Sequence, residues 1–219
     1  MSPVFKEGIK DIGVILITFI SVLIFISATT WLVDTLLKAP VWVSGSIAQL
    51  MFLGSSLILI RFSGRKWRTL GLFLSTQDLA RASLASASLA IAVVYIISLI
   101  PTEGGTQPEL VEDPLLLAIL TLLIAPPCEE IFFRGFLQGY MMDKGHQELS
   151  IILPAILFSA MHVIPFRSTG LAMMSAILAG ALALGLIAGY FRASTGSLMP
   201  AVLSHFLFNL VGYVAMMIS

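Results

Sequence analysis

Five ionisable side chains, Glu129, Glu130, Arg134, His162 and His205, interrupt stretches that are otherwise apolar, with Asn209 as a polar companion. A charged group at bilayer depth costs about 2.5–3.5 kcal/mol on insertion scales, so each of them requires an explanation. Two carboxylates, a guanidinium, two imidazoles and an amide are the parts for peptide hydrolysis by activated water. A Glu hydrogen-bonded with a His can take a proton from water and deliver it to the leaving amine. A second His and an Asn supply donors to the oxyanion of the tetrahedral intermediate, worth about 3–4 kcal/mol each. No covalent nucleophile is needed, and no Ser stands in a nucleophile-elbow context. Cys128, beside the Glu pair, reads as a small buried hydrophobe.

Spacing refines this reading. In Ala125-Pro126-Pro127-Cys128-Glu129-Glu130 the Pro pair suits the first turn of a helix and not its interior. The sequence therefore predicts a helix break at Pro126 and a restart that carries Glu129 and Glu130 in its first turns. Glu130 and Arg134 share a face at i,i+4 spacing and are the natural ion pair, which leaves Glu129 freer to face a cavity. All three could instead form a buried charge network that only fixes packing. Phe158 and His162 lie on one helical face, as do His205 and Asn209, so an imidazole and an amide can aim at the same point from the last helix. A lone His in an apolar helix is ordinarily a packing residue; the company of the others makes these two candidates.

The elements that must position these groups are set by composition. The chain has 219 residues, 58% hydrophobic and 11% charged, with 12 basic residues against 12 acidic ones; its mean hydropathy is +1.01. A soluble domain carries roughly a quarter of its residues charged, so this chain belongs in a bilayer. Disordered, disulfide-stapled secreted and nucleic-acid-binding classes are excluded. Apolar runs at 12–33, 41–60, 79–100, 114 to about 140, 149–164, 170–191 and 197–218 predict an all-α polytopic membrane helix bundle of about seven (six to eight) transmembrane helices. The first run is too long for a signal-peptide core and reads as a retained anchor. With no hydrophilic stretch beyond about 18 residues, residues 1–219 read as a single integral membrane domain. Gly185 and Gly189 form a small-xxx-small pair suited to close helix packing.

Cytoplasmic loops retain positive charge. With the N-terminus inside, Lys6, Lys10, Arg61, Arg65, Lys66, Arg68, Arg81, Lys144 and Arg192 fall inside, while Lys38 and Arg167 fall outside. The stretch from Thr102 to Asp113 then becomes an acidic external connector. Arg65-Lys66-Trp67-Arg68 reads as a topology and anchoring signal.

Three motifs carry a resemblance. Glu-Glu-x-x-x-Arg at Glu129 to Arg134, Phe-x-x-x-His at Phe158 to His162, and His-x-x-x-Asn at His205 to Asn209 resemble the CAAX prenyl protease and bacteriocin-processing family of intramembrane glutamic endopeptidases. The resemblance covers about residues 114–212. It implies a glutamic-type peptidase of the cell membrane, if prokaryotic, needing no cofactor or metal. Glu129 and His162 would activate water, His205 and Asn209 would form the oxyanion site, and Glu130 and Arg134 would support them. It also implies a peptide or protein substrate, either a lipid-modified one such as a prenylated CAAX tail or a bacteriocin leader, in contact with membrane lipid.

Straight helices with common starting levels misplace the motifs. His162 lies about 20 Å into its span and His205 about 12 Å into its own, a mismatch of roughly 10 Å that Pro154, the Pro126 break and tilt must absorb. Three rival readings use the same residue types: a zinc metalloprotease, though His-Glu-x-x-His is absent from the sequence; a proton-coupled transporter; and a non-catalytic immunity or scaffolding protein.

Overall fold

The computed structural model describes residues 3–73, 76–100 and 113–218. The described residues form seven helices: α1 (Pro3–Leu37), α2 (Val41–Phe62), α3 (Thr76–Ser98), α4 (Pro114–Asp143), α5 (Gln147–Met161), α6 (Leu171–Thr195) and α7 (Met199–Ile218). All but α5 are long and apolar enough to cross a membrane. The acidic connector lies outside the described residues except for Asp113.

Polarity is distributed as a bilayer demands. Ile17, Ile24 and Trp31 of α1 and Leu84, Ile91 and Tyr95 of α3 are exposed, whereas Glu130, Arg134, Gln138, Ser150 and Ser204 are buried. Lipid tails compete equally for apolar surface, so close packing and internal polar partners must hold the helices together. α4 is the hub: it packs against α2, α5, α6 and α7. Its start is fixed by Asp113, whose side chain accepts from the backbone N–H of Leu115 at 2.8 Å and of Leu116 at 3.4 Å, with Pro114 behind it.

The predicted break at Pro126 does not occur. α4 runs through the Pro pair by widening: the N–H of Ala125 reaches back five residues to Leu120 O. A second wide segment spans Ile131–Leu137, where Gln138 N–H bonds Phe133 O. Pro126 has no N–H to offer the carbonyl of Thr121, five residues earlier. The Asn209 side chain of α7 supplies the donor instead, at 2.8 Å, and the helix continues. Glu129 therefore sits near the middle of a 30-residue helix rather than at the start of a new one.

The span expected at 149–164 is also shorter. α5 ends at Met161 after 15 residues, and His162 is already the residue that caps it. Its length of about 22 Å falls short of the roughly 30 Å hydrocarbon layer.

Glycines bring α6 onto α4 and α5. A Cβ added at Gly185 would lie 3.0 Å from Ala155 Cα and Cβ, and one at Gly189 would lie 3.1 Å from Ile151 Cγ2. The expected close packing is present, and it also lets side chains reach the backbone. Arg134 Nη2 donates to Gly185 O at 3.0 Å, and Gln138 Nε2 to Gly189 O at 2.8 Å.

The basic segment after α2 is more than a topology signal. Arg65 Nη1 donates to Gly135 O at 2.6 Å and its Nε pairs with Asp143 at 2.6 Å, so the Arg65 side chain is only 8% exposed. Leu70 is buried at the position where Gly135 leaves room. Gly71 (φ 63) passes so close to Gly196 (φ 70) that a side chain at 71 would collide with the Gly196 carbonyl. Ser197 Oγ then shares its one hydrogen between Gly71 O at 2.8 Å and Phe73 O at 2.6 Å, Leu198 N–H donates to Gly71 O at 3.0 Å, and Arg192 Nη2 donates to Thr69 O at 2.6 Å.

This wedge resolves the depth mismatch. α5 starts beside Asp143, but α7 starts on the wedge, near the level of Gly135, about 12 Å deeper at 1.5 Å per residue. Glu129, His162 and His205 then all lie about 20 Å from that end of the bundle.

Candidate active site

Glu130 and Arg134 form the expected i,i+4 ion pair at 2.9 Å, and both side chains are fully buried. Arg134 is further held by Gly185 O and by ring faces, its Cζ lying 4.8 Å from the Phe158 centroid and 5.7 Å from that of Phe133. A second group converges on the same carboxylate: His205 Nδ1 lies 3.0 Å from Glu130 Oε1. With a carboxylate as acceptor, Nδ1 is the donor, which fixes the ring's orientation. The other nitrogen, Nε2, is turned to Glu129 Oε2 at 3.9 Å, beyond direct hydrogen bonding.

Glu129 is packed in the interior. It is 6% exposed and accepts a 2.7 Å hydrogen bond from Gln49 Nε2 of α2. Two apolar grooves, of about 520 and 340 Å³, flank α1; one is lined by Trp31 and Ile164 and the other by Phe25 and Met51, and Glu129 lines neither.

Phe158 organises both histidines. Its ring stands 4.9 Å from His162 and 5.3 Å, edge-on, from His205. The Phe of the Phe-x-x-x-His motif is thus the spacer on which the cluster is built. His162 Nδ1 is bonded to Phe158 O at 2.7 Å, so Nδ1 donates and Nε2 is left as an acceptor. Phe166 stacks on its other side at 6.3 Å.

His205 and Asn209 share a face of α7 and hold different partners: the imidazole bonds Glu130 and the amide bonds Thr121 O. Sequence reasoning also missed Gln49, Gln138 and Arg65. Gln49 and Gln138 were visible as amides in apolar helices, but no spacing tied them to the motifs. Cys128 is buried, as a small hydrophobe should be. Among the described residues, no three His, Cys, Asp or Glu side chains are grouped to hold a metal ion.

A multi-pass helical bundle that buries a carboxylate–guanidinium–imidazole cluster at mid-depth belongs to the class of integral membrane proteins with an internal polar centre. Residues 111–211, just under half of the chain and all three motifs with it, match the family of Rce1-like type II CAAX prenyl endopeptidases. Over this segment the chain is similar to that family. Neither the curated proteins nor the solved structures gave a match.

Proposed function

We propose that this chain hydrolyses a peptide bond at membrane depth by a glutamic mechanism. The observation that carries the reading is the convergence of Glu129, Glu130, Arg134 and His205 in the packed interior, with His162 brought alongside by the Phe158 ring. Glu129 takes a proton from water beside His162; the water oxygen adds to the scissile carbon, and the carbonyl electron pair moves onto oxygen. His205, held through Nδ1 by Glu130, presents Nε2 to that oxyanion. Asn209 has a second amide hydrogen beyond the one given to Thr121 O, and it serves the same oxyanion. Glu129 then returns the proton to the nitrogen as the C–N bond breaks. Glu130 and Arg134 hold His205 and the helices in register.

The substrate in this reading is a peptide or protein segment, either a prenylated CAAX tail or a bacteriocin-type leader. The N-terminus faces the cytoplasm. A quenched farnesylated peptide, incubated with purified protein in lipid, tests the reading. Cleavage that survives a chelator and is lost in folded Glu129→Ala supports it. Loss with the chelator sinks the metal-free mechanism, and cleavage by Glu129→Ala sinks the role of Glu129.

A further inference from the structure

We propose that Gln49 of α2, outside all three motifs, is a positioning residue that sets the Glu129 carboxylate and holds the hydrolytic water against it; this rests on the hydrolytic reading above. Gln49 Nε2 donates to Glu129 Oε1 at 2.7 Å, which locks one carboxylate oxygen and determines which way the amide faces. The amide cannot be turned over, because Gln49 Oε1 would then oppose a carboxylate oxygen. Beyond the two ends of this bond lie Gln49 Oε1 and Glu129 Oε2. Both are inaccessible to solvent, and neither receives a hydrogen bond from any described residue.

Buried acceptors without donors carry a substantial desolvation penalty, so each of these two demands a donor. A backbone N–H offers one hydrogen, whereas a water offers two. One hydrogen points to Gln49 Oε1 and the other to Glu129 Oε2, leaving the water's lone pairs for attack. In the reaction, the proton aimed at Glu129 Oε2 is the one transferred as the O–C bond forms. The hydrogen bonded to Gln49 stays on the incoming oxygen.

This pairing also gives α2 a part in the site. α2 lies outside the matched segment 111–211, yet it supplies the group in contact with Glu129.

Gln49→Met keeps length and volume while removing both hydrogen-bonding atoms. In lipid, kcat should fall about tenfold or more while KM changes less than about twofold, because Gln49 touches water and carboxylate rather than peptide. The melting temperature should be unchanged. Independently of turnover, the infrared carboxylate band that disappears in Glu129→Gln should shift in Gln49→Met, since that carboxylate loses its donor. An unshifted band, or native kcat in Gln49→Met, overturns the proposal. A fall in melting temperature that accounts for the lost turnover reduces Gln49 to packing and overturns it as well. A native chain without hydrolytic activity overturns the function together with the water-holding step, while a shifted band would still report the Gln49–Glu129 contact, so the two failures are distinguishable.

Discussion

Glu129 and Glu130 are adjacent in sequence and opposite in consequence. Glu130 has a guanidinium and an imidazole within 3.0 Å, and breaking such a buried pair by removing one partner costs about 3–5 kcal/mol because the other charge is stranded. Arg134→Ala and Glu130→Ala should therefore lower the melting temperature and membrane abundance steeply, as measured by thermal unfolding in detergent. Glu129→Gln is isosteric and leaves the Glu130–Arg134 pair intact. It should keep the melting temperature while losing hydrolysis by about a hundredfold or more, the upper range for general acid–base catalysis. If both positions behaved alike, the division between chemistry and scaffold would be wrong. The sequence made this division legible because i,i+4 spacing pairs 130 with 134 and excludes 129. It hid Gln49, because a contact between residues 80 apart on separate helices leaves no trace in local spacing.

At the scale of the element, the Pro pair is the instructive case. A rule about helix interiors predicted a break, and the rule is sound for an isolated helix. In the bundle, Asn209 replaces the lost donor at Thr121 O, so the helix widens and continues. The two positions should accordingly be coupled. Asn209→Ala leaves a carbonyl without its donor and should cost about 1–3 kcal/mol. Pro126→Ala restores a backbone N–H that lets the turn close, so in the Pro126→Ala background the same Asn209→Ala change should cost measurably less. Pairs that share a hydrogen-bond network show coupling of about 0.5–3 kcal/mol. Strict additivity in a double-mutant cycle would remove Asn209 from its capping role. Closing the wide turn also rotates Glu129 relative to α2, so the double variant should regain stability and not hydrolysis. Gly185 is the second constraint at this scale. Gly185→Val would drive side-chain carbons into Ala155, already 3.0 Å from a bare Cβ, and should part α6 from α5 with a fall in melting temperature.

For the whole molecule, the number and course of the helices were legible because each needs about 20 apolar residues, and composition alone supplies that signal. The common depth of the motifs was not, because it depends on where α7 starts. That level is set by the Arg65–Phe73 wedge, a tertiary feature built from residues that had read only as topology charges. The wedge raises a question about orientation, since two of the nine charges counted as cytoplasmic, Arg65 and Arg192, are buried and bonded within the fold. Discounting both still leaves seven against two, and the positive-inside bias operates on loop charges during insertion, before the wedge can form. Two effects that mix in a simple deletion should thus separate. Arg65→Ala should destabilise the bundle, because Gly135 O and Asp143 both lose a partner, yet it should leave the orientation as it was. Single cysteines at Ser63 and at Thr106, in a Cys128→Ala background, read this directly with a membrane-impermeant thiol reagent. Ser63 should be protected in intact cells and Thr106 labelled, with or without Arg65. Labelling of Ser63 from outside would invert the bundle and place the basic end of α4 on the external face. An orientation that flipped only on loss of Arg65 would mean that the wedge charge, and not the summed loop bias, fixes the topology.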